Sequence, residues 1–236
     1  MTFLVETIFD RLHGQLVVSC QAVADSPLAP TPHIVALAQA AVLGGAKGVR
    51  IEGIANVRAV RAAVDVPIIG IVKARHPGFE AFITTQVAEV DALADAGADI
   101  IAFDATDRAR PVPVPDLVAA IVQRGRAAMA DISTIAEARS AMAAGAHVAG
   151  TTLAGYTNYS TTLTGPDFAL MAELASAGIR FVAEGRIWEP AEAARTISIG
   201  AEFVVVGSAI TRPDDITRRY ADAVAAVARP YLGETA

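Results

Sequence analysis

The sequence predicts an α/β protein folded as one closed eight-stranded (β/α)8 barrel, a TIM barrel, spanning residues 1–236. Three observations predict it. Short Val/Ile-rich runs recur eight times, alanine-rich helical stretches separate them, and glycine followed by a small residue repeatedly stands where a helix must turn back into a strand. The length suits one such barrel, and no linker interrupts the series. A doubly wound open sheet would share the alternation, but no G-x-G-x-x-G follows an early strand and the same unit persists to the end.

The first four strands are expected at Leu16 to Cys20, Gly48 to Ile51, Ile68 to Lys73 and Ile100 to Asp104. Four more follow at Ala127 to Asp131, His147 to Thr151, Arg180 to Glu184 and Phe203 to Val206. Helical patterns occupy Pro32 to Leu43, Thr84 to Ala96, Pro115 to Gln123, Thr134 to Ala144, Asp167 to Ala177 and Pro190 to Ile199. Val87, Val90, Leu93 and Ala94 share one helical face, which needs a sheet to cover it. Gly97, Gly145 and Gly200 stand at helix ends, where a left-handed residue lets the chain reverse. Ser133 is a capping candidate, and Pro190 fits a first helical turn. The prolines of Arg110 to Pro115 read as a stiff helix entry rather than a strand.

Composition narrows the function classes. The chain is 53% hydrophobic, but alanine supplies much of this in segments that also carry charge, and no apolar stretch is long enough for a membrane span. Met1 to Asp10 lacks the basic start and apolar run of a signal peptide, so a soluble cytoplasmic protein is expected. A formal net charge of −6 argues against nucleic-acid and anionic-membrane surfaces, yet permits a local phosphate pocket of main-chain amides and arginines. The single cysteine, Cys20, excludes an internal disulfide and reads as a small buried residue. His13, His33, His76 and His147 show no metal-ligand spacing; no metal or other cofactor is expected. A homodimer is compatible with the sequence.

In a barrel of this kind the active site lies at the C-terminal ends of the strands. Lys73 closes the third strand: it is either a solvated lysine or a base or imine-forming amine in the barrel mouth. Glu184 closes the seventh, on the opposite side of the ring; it either pairs with Arg186 or transfers protons. Together they could invert a carbon by removing a proton from one face and returning it to the other. Gly185 and the run Gly207-Ser208 lie in the last two loops, where such barrels often bind phosphate, and Arg212 either adds a contact or caps the surface. Asp104 and Asp131 could orient hydroxyls or hold loop amides, and the long connection Thr152 to Pro166 reads as a substrate cover.

Eight ordered segments resemble the N-acylglucosamine-6-phosphate 2-epimerase family, also called N-acetylmannosamine-6-phosphate 2-epimerases. They are "LVVSCQAVADSPL", "GVRIEGIANVRAV", "VPIIGIVK", "DALADAGADIIAFDATDRARP", "MADIST", "GTTLAGYT", "FVAEGRI" and "VVVGSAITRP". The resemblance implies a ribulose-phosphate-binding type of barrel and a sugar-phosphate substrate. It implies an isomerase that inverts C2 of N-acetylmannosamine 6-phosphate to give N-acetylglucosamine 6-phosphate, within amino-sugar and sialic acid degradation. By the same resemblance Lys73 and Glu184 are catalytic; Gln21, Arg50 and Asp131 contact the sugar; and Gly185, Arg186, Gly207, Ser208 and Arg212 match the phosphate end. The chain departs from the family pattern at Ala74-Arg75-His76, where Arg-Asp commonly follows the lysine, and at Trp188-Glu189-Pro190, where Asn-Thr-Pro is common. A Schiff-base aldolase using Lys73 and a catalytically silent sugar-phosphate binder are the competing readings.

Overall fold

The protein is described by a computed structural model covering residues 2–227. Eight parallel strands close into a ring in sequence order, each paired with its neighbours and β1 with β8. They are β1 (Leu16–Cys20), β2 (Gly48–Glu52), β3 (Ile68–Ile71), β4 (Ile100–Asp104), β5 (Ala127–Asp131), β6 (Val148–Gly150), β7 (Phe181–Glu184) and β8 (Val204–Val206). Every predicted strand is present. The main correction is β3, which leaves the sheet after Ile71; Lys73 pairs antiparallel with Ile83 as the chain doubles back.

The predicted helices become α2 (Thr31–Leu43), α4 (Val87–Ala96), α5 (Val114–Gln123), α6 (Ile135–Ala143), α7 (Phe168–Ser176) and α8 (Pro190–Ile199). Three α-helices lie outside the predicted set, α1 (Thr2–Leu12), α3 (Ile54–Arg61) and α10 (Pro213–Val227), and the short α9 (Ser208–Thr211) follows Gly207. Gly97 and Gly200 end their helices at φ +97° and +113°, as their positions require. The cap of α6 is Thr134 rather than Ser133. Thr134 Oγ1 accepts the Glu137 amide at 3.3 Å, while Glu137 Oε2 accepts the amides of Thr134 and Ser133 and the Ser133 hydroxyl.

Strand alternation splits the apolar residues into two layers. Outward-facing Val49, Ile51, Ile101, Phe103 and Ala130 pack under the surrounding helices, whereas Ile69, Ile71, Ile100, Met129, Val182 and Val205 fill the barrel. Helix α1 extends the inner layer: Val5, Phe9 and Leu12 are buried within it, and together they plug one end of the barrel. The filled lower barrel confines polar chemistry to the other end, where the strands finish in Ser19, Arg50, Asp131 and Glu184. By contrast α10 buries none of its residues, leaving Tyr220, Val224 and Val227 exposed along one face. No helix among the described residues is long and apolar enough to cross a membrane.

If α1 acts as a plug, Phe9→Ala should lower the free energy of unfolding by about 3–5 kcal/mol in a urea titration. A loss below about 1 kcal/mol would show that the inner core closes without it.

Candidate active site

A cavity of about 560 Å³ opens at the C-terminal ends of the strands. Gln21, Arg50, Lys73, Glu184, Gly185, Arg186, Gly207, Ser208 and Arg212 all line it, so the fold gathers every expected site residue but one. The exception is Asp131, which is fully buried behind Arg50.

Arg50 sits at the centre. Its side chain is only 1% exposed, and it donates from Nη2 to Asp131 Oδ2 at 2.7 Å, from Nη1 to Asp131 Oδ1 at 3.2 Å, and from Nη1 to Glu184 Oε2 at 2.5 Å. The three residues come from β2, β5 and β7 and meet inside the barrel, Asp131 and Glu184 from the last positions of their strands and Arg50 from the middle of its own. Gly150 on β6 makes room: a Cβ there would lie 2.5 Å from Met129 Cε and 3.1 Å from Asp131 Oδ1. The Thr152 hydroxyl donates to Asp131 Oδ1 at 2.7 Å, and the Thr151 hydroxyl donates to the Glu184 carbonyl at 2.9 Å. Glu184 is thereby fixed through its main chain as well as its carboxyl.

One cation cannot neutralise two carboxylates. Burial opposes the charge on Arg50, but Asp131 and Glu184 outweigh it and hold the guanidinium above its ordinary pKa. Asp131 takes both guanidinium arms and accepts a hydroxyl. Glu184 is pushed up to about 7, first by burial and then by the Asp131 charge, against the pull of Arg50. The contact with Arg50 would by itself lower that value; burial is the larger effect, and the Asp131 charge adds to it. Lys73 is lowered from its ordinary value, chiefly by enclosure at the barrel mouth and next by Arg50. Its side chain remains open to the water of the cavity, which tempers the shift without changing its direction. In this enclosed cluster, moving a proton from Lys73 to Glu184 removes two charges at once.

The end of the cavity expected to take phosphate lies between β7, β8 and α9. Gly185 adopts φ +110°, and Gly207 passes so close to β1 that a Cβ would stand 3.3 Å from Ser19 Cβ. Thr211 ties α9 to the strand end by donating its hydroxyl to the Ser19 carbonyl at 2.7 Å. The first amides of this helical turn lack acceptors of their own and suit an anion. Arg212 borders the same space but already holds Asp214 through two bonds, at 2.7 and 3.0 Å. Arg186, also expected at that end, lines the same cavity. It donates to the carbonyls of Ala154 and Gly165 and lies 4.6 Å from the Tyr156 ring centroid, clasping the 152–166 connection against the mouth.

Several lining residues were not singled out from sequence as site residues: Arg75, Phe82, Arg108, Tyr156 and Trp188. Arg75 and Trp188 had a signal, since both stand where the chain departs from the family pattern. Asp104 does not face the cavity. It holds Arg108 at 2.6 Å and accepts the amides of Phe82 and Thr106. Cys20 is buried, with its thiol pushed up to about 12 by loss of hydration. His147 accepts the Ala128 amide at 3.0 Å and serves packing. Among the described residues no group of His, Cys, Asp and Glu is placed to hold a metal.

The Glu184 shift predicts a pH-dependent stability. The folded carboxyl binds its proton more tightly than an unfolded glutamate, so its contribution is present at low pH and lost as pH rises from about 4.5 to about 7. Wild type should therefore lose stability relative to Glu184→Gln across that window in urea unfolding. Parallel stability curves would show that Glu184 titrates as an ordinary glutamate.

Comparison with known proteins places the chain in a family. The model described as "NanE: Putative N-acetylmannosamine-6-phosphate epimerase" matches residues 34–226. A "Putative N-acetylmannosamine-6-phosphate 2-epimerase" of Escherichia fergusonii is 50% identical over 208 residues, covering 88% of this chain and 90% of that protein. The "Bifunctional enzyme NanE/NanK" of Brucella melitensis is 50% identical over 227 residues, covering 96% of this chain; the chain spans only 44% of that longer protein. The solved structure of the N-acetylmannosamine-6-phosphate 2-epimerase from Clostridium perfringens superposes with a TM-score of 0.90 at 42% identity, covering 92% of this chain and 96% of that one. By sequence, fold and the match of its family model over most of its length, the chain belongs to the N-acetylmannosamine-6-phosphate epimerase family, NanE.

Proposed function

We propose that this protein inverts C2 of N-acetylmannosamine 6-phosphate to give N-acetylglucosamine 6-phosphate. The observation that carries this reading is the opposed pair in one cavity: a lysine lowered and a glutamate raised in pKa, on facing sides of the barrel. Family membership supports the substrate.

In the open-chain sugar the C2 hydrogen lies beside the C1 aldehyde, and its removal leaves an enolate whose charge rests on O1. Neutral Lys73 takes the proton from one face and becomes an ammonium, which then stabilises that charge. Protonated Glu184 returns a proton to C2 on the opposite face and becomes a carboxylate. The ammonium and the carboxylate exchange a proton, directly or through cavity water, to restore the starting state. No oxidation state changes, so the chemistry requires no redox cofactor. Amides of Gly185, Gly207 and Ser208, with Arg212, would hold the phosphate and fix C2 between the two groups. Gln21 and Arg50 stand where sugar hydroxyls would pass, and Asp131 acts through Arg50. A cytoplasmic location belongs to the same reading, since a phosphorylated sugar does not cross a bilayer unaided. A homodimer would cover the exposed apolar face of α10.

Proton NMR of both amino-sugar 6-phosphates with the protein in deuterated water tests the proposal. Interconversion with deuterium entering C2 and no carbon–carbon cleavage is expected; cleavage, or a borohydride-trapped adduct on Lys73, would point to an aldolase instead. Lys73→Ala should slow C2 exchange by about 10²–10⁴-fold. Arg212→Ala should raise KM more than it lowers kcat, and an unchanged KM would remove Arg212 from the phosphate site.

A further inference from the structure

Six cationic side chains line the cavity, Arg50, Lys73, Arg75, Arg108, Arg186 and Arg212, against one carboxylate, Glu184. Most of that charge is committed within the protein. Arg50 serves Asp131 and Glu184, Arg108 serves Asp104, Arg212 serves Asp214, and Arg186 donates to two carbonyls. Arg75 has no carboxylate or carbonyl partner among the described residues; its one described contact is with the Phe82 ring, 5.2 Å from the guanidinium carbon.

The wall that carries Arg75 is well fixed. After β3 the chain leaves the sheet, turns at Gly78 and returns antiparallel, with the Ala74 amide donating to the Phe82 carbonyl at 2.9 Å and the Thr84 amide to the Val72 carbonyl at 2.8 Å. The amides of Glu80 and Ala81 both reach the Ala109 carbonyl, which ties this excursion to the loop after β4. Arg108 joins from that loop, its guanidinium carbon 5.5 Å from the Phe82 centroid. The result is one apolar ring flanked by two guanidiniums, beginning two residues beyond Lys73.

Resting on the proposed epimerisation, the position of this wall assigns it a ligand. The phosphate is held by the loops after β7 and β8, and C2 must face Lys73. The acyl group hangs from C2, four carbons away from the phosphate-bearing C6, so it belongs to the end of the ligand remote from the β7 and β8 loops, where the wall after β3 and β4 lines the cavity. We propose that Phe82, Arg75 and Arg108 form the acyl subsite, and that Arg75 sets its specificity by admitting acyl chains that end in oxygen, a hydroxyl or a carboxylate, as well as plain acetyl. Phe82 packs against the chain carbon, and the uncommitted Arg75 donates to the terminal oxygen.

The test compares N-acetyl-, N-hydroxyacetyl- and N-carboxyacetyl-mannosamine 6-phosphates by C2 deuterium exchange in wild type, Arg75→Ala, Arg75→Asp and Arg75→Lys. Wild type should use the carboxyacetyl substrate with kcat/KM within about tenfold of the acetyl one. Arg75→Ala should lower kcat/KM for the carboxyacetyl substrate at least about tenfold more than for acetyl, mainly through KM, with Arg75→Asp worse and Arg75→Lys partly restored. Equal losses on all three substrates, or no exchange on the carboxyacetyl substrate while acetyl turns over, would overturn the assignment of Arg75. Absence of exchange on every substrate would overturn the epimerase reading and the subsite with it, so the two failures are distinguishable.

Discussion

The site depends on one constraint: Arg50, buried at the centre of the barrel mouth, must serve two carboxylates. A buried guanidinium without a partner is costly, and a second buried carboxylate without a cation is equally so. The barrel satisfies the first requirement through Asp131 and leaves the second partly unmet at Glu184. That shortfall adds to burial in raising the Glu184 carboxyl to about 7. Arg50 disfavours a charge on Lys73 but favours one on Glu184, whose raised value comes from burial and the Asp131 charge outweighing the guanidinium. Replacing Asp131 would therefore alter the charge balance at Arg50 and Glu184 without removing a residue that lines the cavity.

Around this cluster the scaffold limits motion. Helix α1 closes the lower barrel with Phe9 and Leu12, so the polar residues are supported from below by close-packed side chains. The excursion after β3 is pinned to β3 and to the loop after β4 by main-chain hydrogen bonds, and the connection after β6 is clasped by Arg186. Arg186 itself adopts φ +55°, a conformation costing on the order of 1–3 kcal/mol for a residue with a side chain. Its bonds to two carbonyls and its stacking on Tyr156 hold it there.

The repeating part of the architecture was legible because it rests on local rules. Strand runs, helical faces and glycine stops each follow from a few adjacent residues, and they placed all eight strands. Helix α1 was missed although Val5, Phe9 and Leu12 carry a helical spacing, because that pattern has no β-strand before it to mark a repeating unit. Lys73 was expected inside β3; a backbone that departs at Ile71 to pair with Ile83 is decided by contacts that local sequence does not encode. The cap at Thr134 rather than Ser133 is a one-residue choice set by where Glu137 can reach. The site was legible as membership but not as wiring. Arg50 meets Asp131 and Glu184 across separations of 81 and 134 residues, and only barrel closure brings them together. Likewise Asp131 reads as a strand-end acid facing substrate until its burial shows that it faces Arg50.

The most direct test of the shared-cation account is the titration of the Glu184 carboxyl carbon, followed by carbon NMR in selectively labelled protein, in wild type and in Asp131→Asn. The account predicts a midpoint near about 7 in wild type and a clearly lower one in the variant, where Arg50 no longer divides its charge between two carboxylates. A wild-type midpoint in the ordinary glutamate range, or one that Asp131→Asn leaves unmoved, would contradict it.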